Sequence, residues 1–274
     1  MSEYLSIAVD AARAGGKAIL ALQNNCNYRE KLPKDLVTNA DFASQKAIYQ
    51  VIQQAYPTHT LLGEEDKEED KIEPHTKVEK STSATKNFDP KYRWIVDPLD
   101  GTINYVHGLP PYAVSVALEV EGCITVGVVY DPTSDSLYSA LLGEGATHNG
   151  HSLSVSDCQE MRTALVVASM RSSVQKESLE VRQFVEVLQK AQSMRRLGSA
   201  ALNLCYLAAG QIDAYWAPSL KIWDVAAGFL ILKEAGGVLS GLDGREVDYE
   251  RPAFLAASTK VLHQAMFETL QNCP

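Results

Sequence analysis

Two apolar segments joined by a two-residue turn constrain the fold more than any other feature of the sequence. Ala113–Val120 and residues 123–130 are rich in Val and Ala, and only Glu121-Gly122 separates them. A two-residue connection of this kind is typical of a β-hairpin between antiparallel strands. Because helices are predicted before and after it, the hairpin favours a layered α/β or α+β architecture.

Apolar residues recur every three or four positions in several other segments, which is the spacing of one helix face. This spacing predicts helices at 2–23, 42–55, 176–189, 200–209, 225–235 and 261–270. Shorter apolar runs predict strands at 60–62, 92–96, 164–168 and 212–216. A chain of 274 residues with 46% apolar residues can bury a large core, so we expect a single domain with two halves, about 1–145 and 146–274.

The charge balance bears on the class of ligand. The formal net charge is −9, and an acidic surface repels phosphate backbones, which disfavours nucleic acid as the main ligand. A phosphorylated small molecule is also an anion, so its site would need a local positive charge. A divalent metal ion is the obvious source of that charge.

The cysteines and the N-terminus indicate the compartment. The five cysteines are scattered and form no CxxC pair, which fits a reducing cytoplasm better than a disulfide framework. Residues 1–17 include acidic side chains and no continuous apolar run, unlike a signal peptide. No stretch approaches the length of a membrane span, so we expect no membrane partner.

Residues 66–91 differ in character from the rest of the chain. They are rich in Lys, Glu, Ser and Thr and lack apolar periodicity. We interpret them as a long, solvated and mobile loop, with a lid over a site as the alternative.

Acidic residues occur where predicted strands end or helices begin, which is where catalytic loops concentrate. These residues are Asp41, Glu64 with Glu65, Asp97 with Asp100, and Asp224. Each alone has an ordinary explanation as a helix cap, a solvated side chain or a turn. If they converge, their repulsion and burial cost several kcal/mol unless a cation is present, so the pattern predicts a metal site.

The segment 97–102 gives this prediction its geometry. Pro98 fixes its own φ and biases Asp97 toward an extended conformation, and Gly101 then permits the chain to turn. Both aspartates of the segment can face one point with the Leu99 carbonyl between them, and such oxygens are the ligands that Mg²⁺ prefers. Two ions roughly 3.5–4 Å apart that share a carboxylate are the arrangement of metal-assisted phosphoester hydrolysis.

Four longer motifs and three shorter phrases follow one another along the chain. The motifs are Asp35-Leu-Val-Thr38 with Asp41, Gly63-Glu64-Glu65, Trp94-Ile-Val-Asp97-Pro-Leu-Asp-Gly-Thr102-Ile-Asn104, and Trp223-Asp224-Val-Ala-Ala227-Gly228. The phrases are Gly145-Ala146 with Asn149-Gly150, Arg196-Leu-Gly198-Ser-Ala200, and Glu234-Ala-Gly-Gly237. In these residues the sequence resembles the inositol monophosphatase family, part of the lithium-sensitive phosphatases, over nearly its whole length.

The resemblance implies an α+β fold, a layered α-β-α-β-α sandwich of the sugar-phosphatase type, and a lithium-sensitive hydrolase that forms a homodimer. It implies Mg²⁺ as cofactor, with two or three ions. The implied metal ligands are Glu64, Asp97, the Leu99 carbonyl, Asp100 and Asp224. By the same resemblance, Glu64 and Thr102 would activate the attacking water, and Asp41 would orient Thr102.

The resemblance also implies how a substrate would be held. The amides of Gly101 and Thr102, next to Leu99 and Asp100, would bind the phosphate. The residues that would face the alcohol part of the substrate are Gly198, Ser199, Ala200 and Asp224.

One departure from the family pattern concerns the substrate. In the inositol-phosphate enzymes an acidic residue seven positions before the aspartate of the Trp-Asp motif contacts substrate hydroxyls, and Ala217 takes that position in this chain. Loss of a hydroxyl partner lowers discrimination and leaves the chemistry intact. A second departure is the charged segment 66–91, which is longer than in the compact members.

The resulting hypothesis is a Mg²⁺-dependent phosphomonoesterase that acts on a small phosphorylated polyol or sugar, with inositol 1-phosphate as the first substrate to consider. Fructose 1,6-bisphosphate, histidinol phosphate and 3′-phosphoadenosine 5′-phosphate are alternatives with the same chemistry. A protein that kept the fold for partner binding, for example to transcription machinery, is an alternative of another class.

The absence of two kinds of motif, and one pair of basic residues, bear on the type of reaction. The chain has no Walker-type glycine loop and no Ser or Cys nucleophile motif, which favours a metal-activated water over a covalent intermediate. Arg195-Arg196 could steer a phosphate, although a solvated or packing pair is the more ordinary interpretation.

Overall fold

The computed structural model describes residues 2–67, 88–171 and 173–273, in which helices and strands alternate along the chain. In chain order they are α1 (Ser2–Leu22), β1 (Tyr28–Leu32), β2 (Asp35–Thr38), α2 (Asn39–Ala55), β3 (His59–Gly63), β4 (Asp89–Asp100), α3 (Thr102–Val106), β5 (Ala113–Val120), β6 (Cys123–Asp131), β7 (Ser136–Leu141), β8 (Gly145–His148), β9 (His151–Ser152), β10 (Leu165–Ala168), α4 (Leu179–Lys190), β11 (Ser193–Arg195), α5 (Ala200–Ala208), β12 (Ala214–Ala217), α6 (Ile222–Glu234), β13 (Val238–Gly241), β14 (Phe254–Ala257) and α7 (Lys260–Gln271).

A seven-stranded sheet contains the predicted hairpin. Its spatial order is β3-β4-β5-β6-β7-β8-β9, with β3 and β4 parallel and the other neighbours antiparallel. The hairpin joins β5 to β6, and its turn residues Glu121 and Gly122 have positive φ angles of 50° and 84°. Such angles are the ones that a two-residue turn of type I′ requires, so the hairpin prediction is confirmed.

A second, five-stranded sheet is built from the later strands. Its order is β11-β10-β12-β14-β13, where β10 runs parallel to β11 and β12, and β14 runs antiparallel to β12 and β13. A separate two-stranded ribbon, β1–β2, lies between α1 and α2 in the chain.

Helices cover both sheets, so successive strand residues are buried on opposite sides. In β4, Trp94 and Val96 join the core formed with α1 and α2, whereas Ile95 joins the core shared with α5 and α6. The same two helices also pack against the second sheet, whose other side is covered by α4 and α7. The order is therefore α-β-α-β-α, which confirms the predicted fold.

One glycine brings a helix unusually close to the first sheet. A Cβ atom at Gly127, in β6, would lie 2.7 Å from the Ala227 carbonyl oxygen of α6, and a Cβ atom cannot approach an oxygen atom so closely. A larger residue would push α6 away from the sheet. This close contact packs α6, which carries Asp224 in its first turn, against the first sheet.

The predicted helices are all found, with ends displaced by no more than about one turn. The strand predicted at 92–96 is longer and spans Asp89–Asp100, so the predicted loop 66–91 ends too late. Residues 68–87 of that loop lie outside the described residues. The strands that no prediction anticipated, β1, β2, β7, β8, β9, β11, β13 and β14, are short or rich in polar residues.

All strands of the first sheet come before those of the second in the chain. The change from one sheet to the other falls between Ser152, the end of β9, and Leu165, the start of β10. The assignment of the whole chain to a single domain stays a prediction. In the part of the chain that the structure describes, no helix has the length and apolar content needed to cross a bilayer.

Candidate active site

The parallel pair β3–β4 places two of the predicted acidic residues side by side. Gly63, the last residue of β3, pairs with Val96 of β4. Glu64 and Asp97 directly follow these partners in the chain, so both lie at the same end of the parallel pair. The carboxyl ends of neighbouring parallel strands thereby begin the candidate site.

The end of β4 bends as the segment 97–102 predicts. Asp97 is 2% exposed, and the Leu99 backbone N–H donates to its Oδ1 at 3.0 Å. The pairing with β5 shifts register between Asp97 and Asp100, which places the two aspartates in an irregular part of the strand. Gly101 follows with φ of 95°, and a Cβ there would lie 3.1 Å from the Pro111 carbonyl oxygen. Glycine satisfies both demands, and α3 begins at the next residue.

The N-terminus of α2 supplies Asp41. Thr38 caps this helix, and its N–H and Oγ1 both donate to Asp41 Oδ2, at 2.8 and 2.6 Å. The other oxygen, Oδ1, lies 3.3 Å from Thr102 Oγ1, which also lies 3.0 Å from the Leu99 carbonyl oxygen. Burial raises the pKa of Asp41 to about 7, against the opposing hydrogen bond from Thr38. The structure thus brings Asp41 and Thr102 into contact.

Asp100 is bound to the N-terminus of α5. The Ser199 hydroxyl and the Ala201 N–H donate to its Oδ2, and the Ala200 N–H donates to its Oδ1. Burial raises the pKa of Asp100 to about 6, although these hydrogen bonds act in the opposite direction. The carboxylate therefore links the first sheet to α5 as well as facing the site.

Asp224 lies in the first turn of α6. Its Oδ2 accepts a hydrogen bond from the Lys221 backbone N–H at 2.8 Å, which closes the first turn of the helix. Burial raises the pKa of Asp224 well above its usual range, and the charges of Glu64 and Asp100 add to this effect.

Asp97 is influenced by all three of the other carboxylates. Its pKa is raised well above the usual range, first by burial and then by the charges of Glu64, Asp100 and Asp224. Since each of these charges acts on Asp97, the four side chains from three separate stretches of sequence converge on one region. Keeping them ionised together requires a positive charge.

Lys31, on β1 of the two-stranded ribbon, is a charged neighbour that the sequence did not predict. Its Nζ lies 2.9 Å from Glu64 Oε1 and also contacts Glu65 Oε1, and its side chain is only 11% exposed. Burial alone would lower the pKa of Lys31, but the two glutamates outweigh it and leave the pKa raised. The available signal was Pro33-Lys34 between two short segments, because Pro is favoured in tight turns. The structure gives Lys34 a positive φ of 65°, as such a turn requires.

A cavity of about 520 Å³ opens between the two halves of the chain at this point. The N-terminal half contributes Asp35, Leu36, Glu64, Asp97, Leu99, Asp100, Gly101, Thr102, Ile103, Asn104 and Leu109 to its wall. The C-terminal half contributes Ala168, Ser169, Met170, Arg196, Leu197, Gly198, Ala200, Leu220 and Asp224.

One of the substrate-facing predictions needs correction. Ser199, predicted to face the alcohol, is completely buried and does not line the cavity, because its hydroxyl caps α5 and donates to Asp100. Glu65, which follows Glu64 in its motif and was assigned no role in the site, is also completely buried and does not line the cavity. The other predicted site residues that line the wall are Glu64, Asp97, Leu99, Asp100, Gly101, Thr102, Gly198, Ala200 and Asp224, while Asp41 reaches the site through Thr102.

The donor set suits a hard divalent cation. The carboxylates and the Leu99 carbonyl offer only oxygen, which Mg²⁺ prefers, and the raised pKa of Asp97 shows the need for a compensating charge. Across the described ranges, no three His, Cys, Asp or Glu side chains are already gathered as a finished coordination group. The residues fit the ion by chemistry and charge, with Lys31 holding the Glu64 carboxylate.

Comparisons with known proteins cover the full chain. A family model described as the inositol monophosphatase family matches residues 1–274. Inositol monophosphatase 1 of Solanum lycopersicum is 36% identical over 278 residues, which cover 99% of this chain and 96% of the relative. The Nus factor SuhB of Pasteurella multocida is 35% identical over 277 residues, which cover 100% of this chain and 97% of the relative.

Solved structures show the same architecture. The extragenic suppressor protein suhB from Bartonella henselae superimposes with a TM-score of 0.86 at 30% identity, over 98% of this chain and 99% of that chain. An inositol monophosphatase from Anabaena (Nostoc) superimposes with a TM-score of 0.82 at 32% identity, over 100% of this chain and 97% of that chain.

Proposed function

We propose, from the premise that this chain belongs to the inositol monophosphatase family of phosphoric monoester hydrolases, that it hydrolyses a small polyol phosphate with Mg²⁺. Inositol 1-phosphate is the first substrate to test, with inositol and phosphate as products. The observation that carries the proposal is the convergence of Glu64, Asp97, Asp100 and Asp224 on one open cavity.

The proposed metal ligands divide into two sets. Glu64, Asp97 and the Leu99 carbonyl would hold one Mg²⁺, and Asp97, Asp100 and Asp224 would hold a second. A third, weaker ion near Glu64 belongs to the same proposal. When bound, the ions supply a Lewis acid for the phosphoryl oxygen and lower the pKa of a coordinated water.

The protein groups in the proposal position the nucleophile and accept its proton. Thr102 Oγ1 lies beside Asp41 Oδ1 and the Leu99 carbonyl oxygen, so its hydroxyl is oriented by acceptors on two sides. With its proton directed to one of these acceptors, Thr102 Oγ1 can accept from a water on its open side. Glu64 would then take the proton of that water as general base.

The substrate would lie across the cavity. The amides of Gly101 and Thr102, at the start of α3, would hold the phosphate. The alcohol part would extend toward Gly198, Ala200 and Asp224, which the other half of the chain provides. Ser199 takes a supporting role here, because its hydroxyl orients Asp100.

Several related phosphate esters share this chemistry. Fructose 1,6-bisphosphate, histidinol phosphate and 3′-phosphoadenosine 5′-phosphate are the alternatives. Ala217 is completely buried at the end of β12 and offers no carboxylate to the cavity, so it gives inositol no specific contact. The choice of alcohol therefore depends on other wall residues.

A second candidate function has one specific observation in its favour. Relatives over the full length of the chain carry the name Nus factor SuhB. Binding to a protein partner is therefore a further role that we propose alongside hydrolysis. The convergent carboxylates favour catalysis as the primary one.

Further properties of the proposal come from the family. We infer a homodimer, inhibition by Li⁺ in competition with Mg²⁺, and a cytoplasmic location. The last agrees with five cysteines that are all unpaired.

The test is a panel of phosphate monoesters assayed with Mg²⁺ and with a chelator. Wild-type protein should release phosphate only when Mg²⁺ is present. Asp97→Asn should release little or no phosphate under either condition. Asp135→Asn is the matched control, because Asp135 is an exposed carboxylate paired with Arg13 away from the site, and it should keep wild-type activity. Release of no phosphate from any ester would refute the proposal.

A further inference from the structure

The charges on the cavity wall are distributed unequally. Among the residues that the structure describes, the charged members of the wall are acidic with one exception, the Arg196 guanidinium. The acidic members are Asp35, Glu64, Asp97, Asp100 and Asp224. Four of these five belong to the proposed metal site, so Arg196 is the cation that remains for the substrate.

Arg196 differs from its neighbour in its hydrogen bonds. Arg195 Nη1 donates to the Ser193 hydroxyl and, at 2.8 Å, to the Met194 carbonyl oxygen, so that guanidinium is bound to its own strand. Arg196 is exposed and, within the described ranges, has no hydrogen bond or ion pair to another residue. Its five N–H donors are therefore available to a ligand in the cavity.

The rest of the wall from the C-terminal half offers few partners for neutral hydroxyl groups. Ala168, Met170, Leu197 and Leu220 contribute apolar side chains. The Ser169 hydroxyl is already 2.7 Å from the Tyr215 hydroxyl. Recognition of a neutral polyol depends on precisely directed hydrogen-bond partners. Beyond Asp224, which the proposed function also assigns to the metal site, this half of the wall presents few of them.

We propose that the preferred substrate carries a second phosphate on its alcohol part and that Arg196 binds it. This inference rests on the proposed function, because it assigns the alcohol side of the same site. A guanidinium can donate two parallel hydrogen bonds to a phosphate, and such charge-assisted bonds are stronger than bonds between neutral groups. The cavity of about 520 Å³ is within the size range of small-ligand sites, which suits a sugar or polyol bisphosphate.

The test compares substrates that differ by one phosphate. Fructose 1-phosphate is paired with fructose 1,6-bisphosphate, and inositol 1-phosphate with inositol 1,4-bisphosphate. In each pair the wild-type protein should show the higher kcat/KM for the bisphosphate. Arg196→Gln should lower kcat/KM for the bisphosphates about 10- to 100-fold, mainly through KM, and leave the monophosphates nearly unchanged.

Two further variants control the comparison. Arg195→Gln removes the adjacent guanidinium, which is bound to its own strand, and should leave the preference intact. Arg196→Lys keeps the charge without the paired donors and should retain part of it. Equal loss for both members of each pair in Arg196→Gln, no loss at all, or a wild-type preference for monophosphates would overturn the inference.

A binding experiment separates this inference from the proposed function. Fructose 1-phosphate and fructose 1,6-bisphosphate are titrated calorimetrically into Thr102→Ala, in which turnover should be slow, and into Thr102→Ala/Arg196→Gln. Weaker binding of the bisphosphate alone in the double variant supports the role of Arg196. Equal binding of the bisphosphate by both proteins contradicts it, whether or not the wild-type protein releases phosphate.

Discussion

The two ends of the parallel pair β3–β4 bury polar groups in opposite ways. At the amino end, His59 stacks between Tyr56 and Tyr92, with ring centroids 4.6 and 4.3 Å away. Trp94 Nε1 donates to His59 Nδ1 at 3.0 Å, so the buried donor and acceptor satisfy each other. Burial lowers the pKa of His59, which keeps the ring neutral.

At the carboxyl end, buried charges repel each other instead. Asp97 is buried like Trp94, but its pKa is raised by burial and by three other carboxylates. The amino end therefore stabilises the fold, whereas the carboxyl end destabilises it unless a cation binds. A protein keeps such an arrangement where binding or catalysis requires it.

The largest expected effect follows from removing the charge of Asp97 at the carboxyl end. Asp97→Asn should lower kcat/KM about 10³-fold or more, because the proposed shared ligand of both ions loses its charge. In a chelator the same variant should unfold at a higher temperature than wild type, since one repelling charge is gone. Assays of phosphate release and thermal unfolding measure the two effects, and Asp135→Asn should change neither.

A gain in metal-free stability together with a loss of activity would show that the carboxyl end is destabilised for function. Lower stability of Asp97→Asn in the chelator would mean that this carboxylate supports the fold, against our account.

The next effect concerns Thr102. Thr102→Ala should lower kcat about 10²-fold, because the hydroxyl that would position the water is removed. Mg²⁺ affinity should change little, since Thr102 is not a proposed ligand. Thr102→Ser, which keeps the hydroxyl, should restore most of the rate, and a large loss of Mg²⁺ affinity in Thr102→Ala would contradict the assignment.

A smaller effect of the opposite kind is expected at the amino end. Trp94→Phe should lower the free energy of unfolding by about 2 kcal/mol, because it leaves His59 Nδ1 without its donor and removes buried ring atoms. Its kcat should stay within about threefold of wild type. Chemical denaturation and phosphate release measure both, and a large loss of activity without a loss of stability would refute the division between the two ends.

The smallest effect is the pH dependence of the amino end. Since the folded-state pKa of His59 is lowered from 6.5, the unfolded chain binds the proton more readily. The stability from neutral His59 is present above about pH 6.5 and is lost as the pH falls below it. His59→Gln, which keeps an acceptor and does not titrate, should show a shallower loss of unfolding free energy between about pH 6.5 and 5.

The local parts of the site could be predicted from the sequence. Asp97, Pro98 and Gly101 lie in one turn, and their conformational preferences act within a few residues. The hairpin β5–β6 was predictable for the same reason, because its turn and both of its apolar strands are contiguous.

Contacts between distant segments could not be predicted in this way. The hydrogen bond from Ser199 to Asp100 joins residues 99 positions apart, and no local pattern announces it. Lys31 lies on β1, whose residues are mostly exposed and polar, so no apolar periodicity marks it. Its pairing with Glu64 follows from the fold, which brings the ribbon to the edge of the first sheet.

The central claim is that the carboxyl end of β3–β4 is a Mg²⁺ site, and calorimetric titration of chelator-treated protein with Mg²⁺ tests it most directly. We expect the wild-type protein to bind at least two ions, and Asp97→Asn to bind them about 100-fold more weakly or not at all. Asp135→Asn should match wild type. Equal stoichiometry and affinity in wild type and Asp97→Asn, or the absence of Mg²⁺ binding to wild type, would contradict the account.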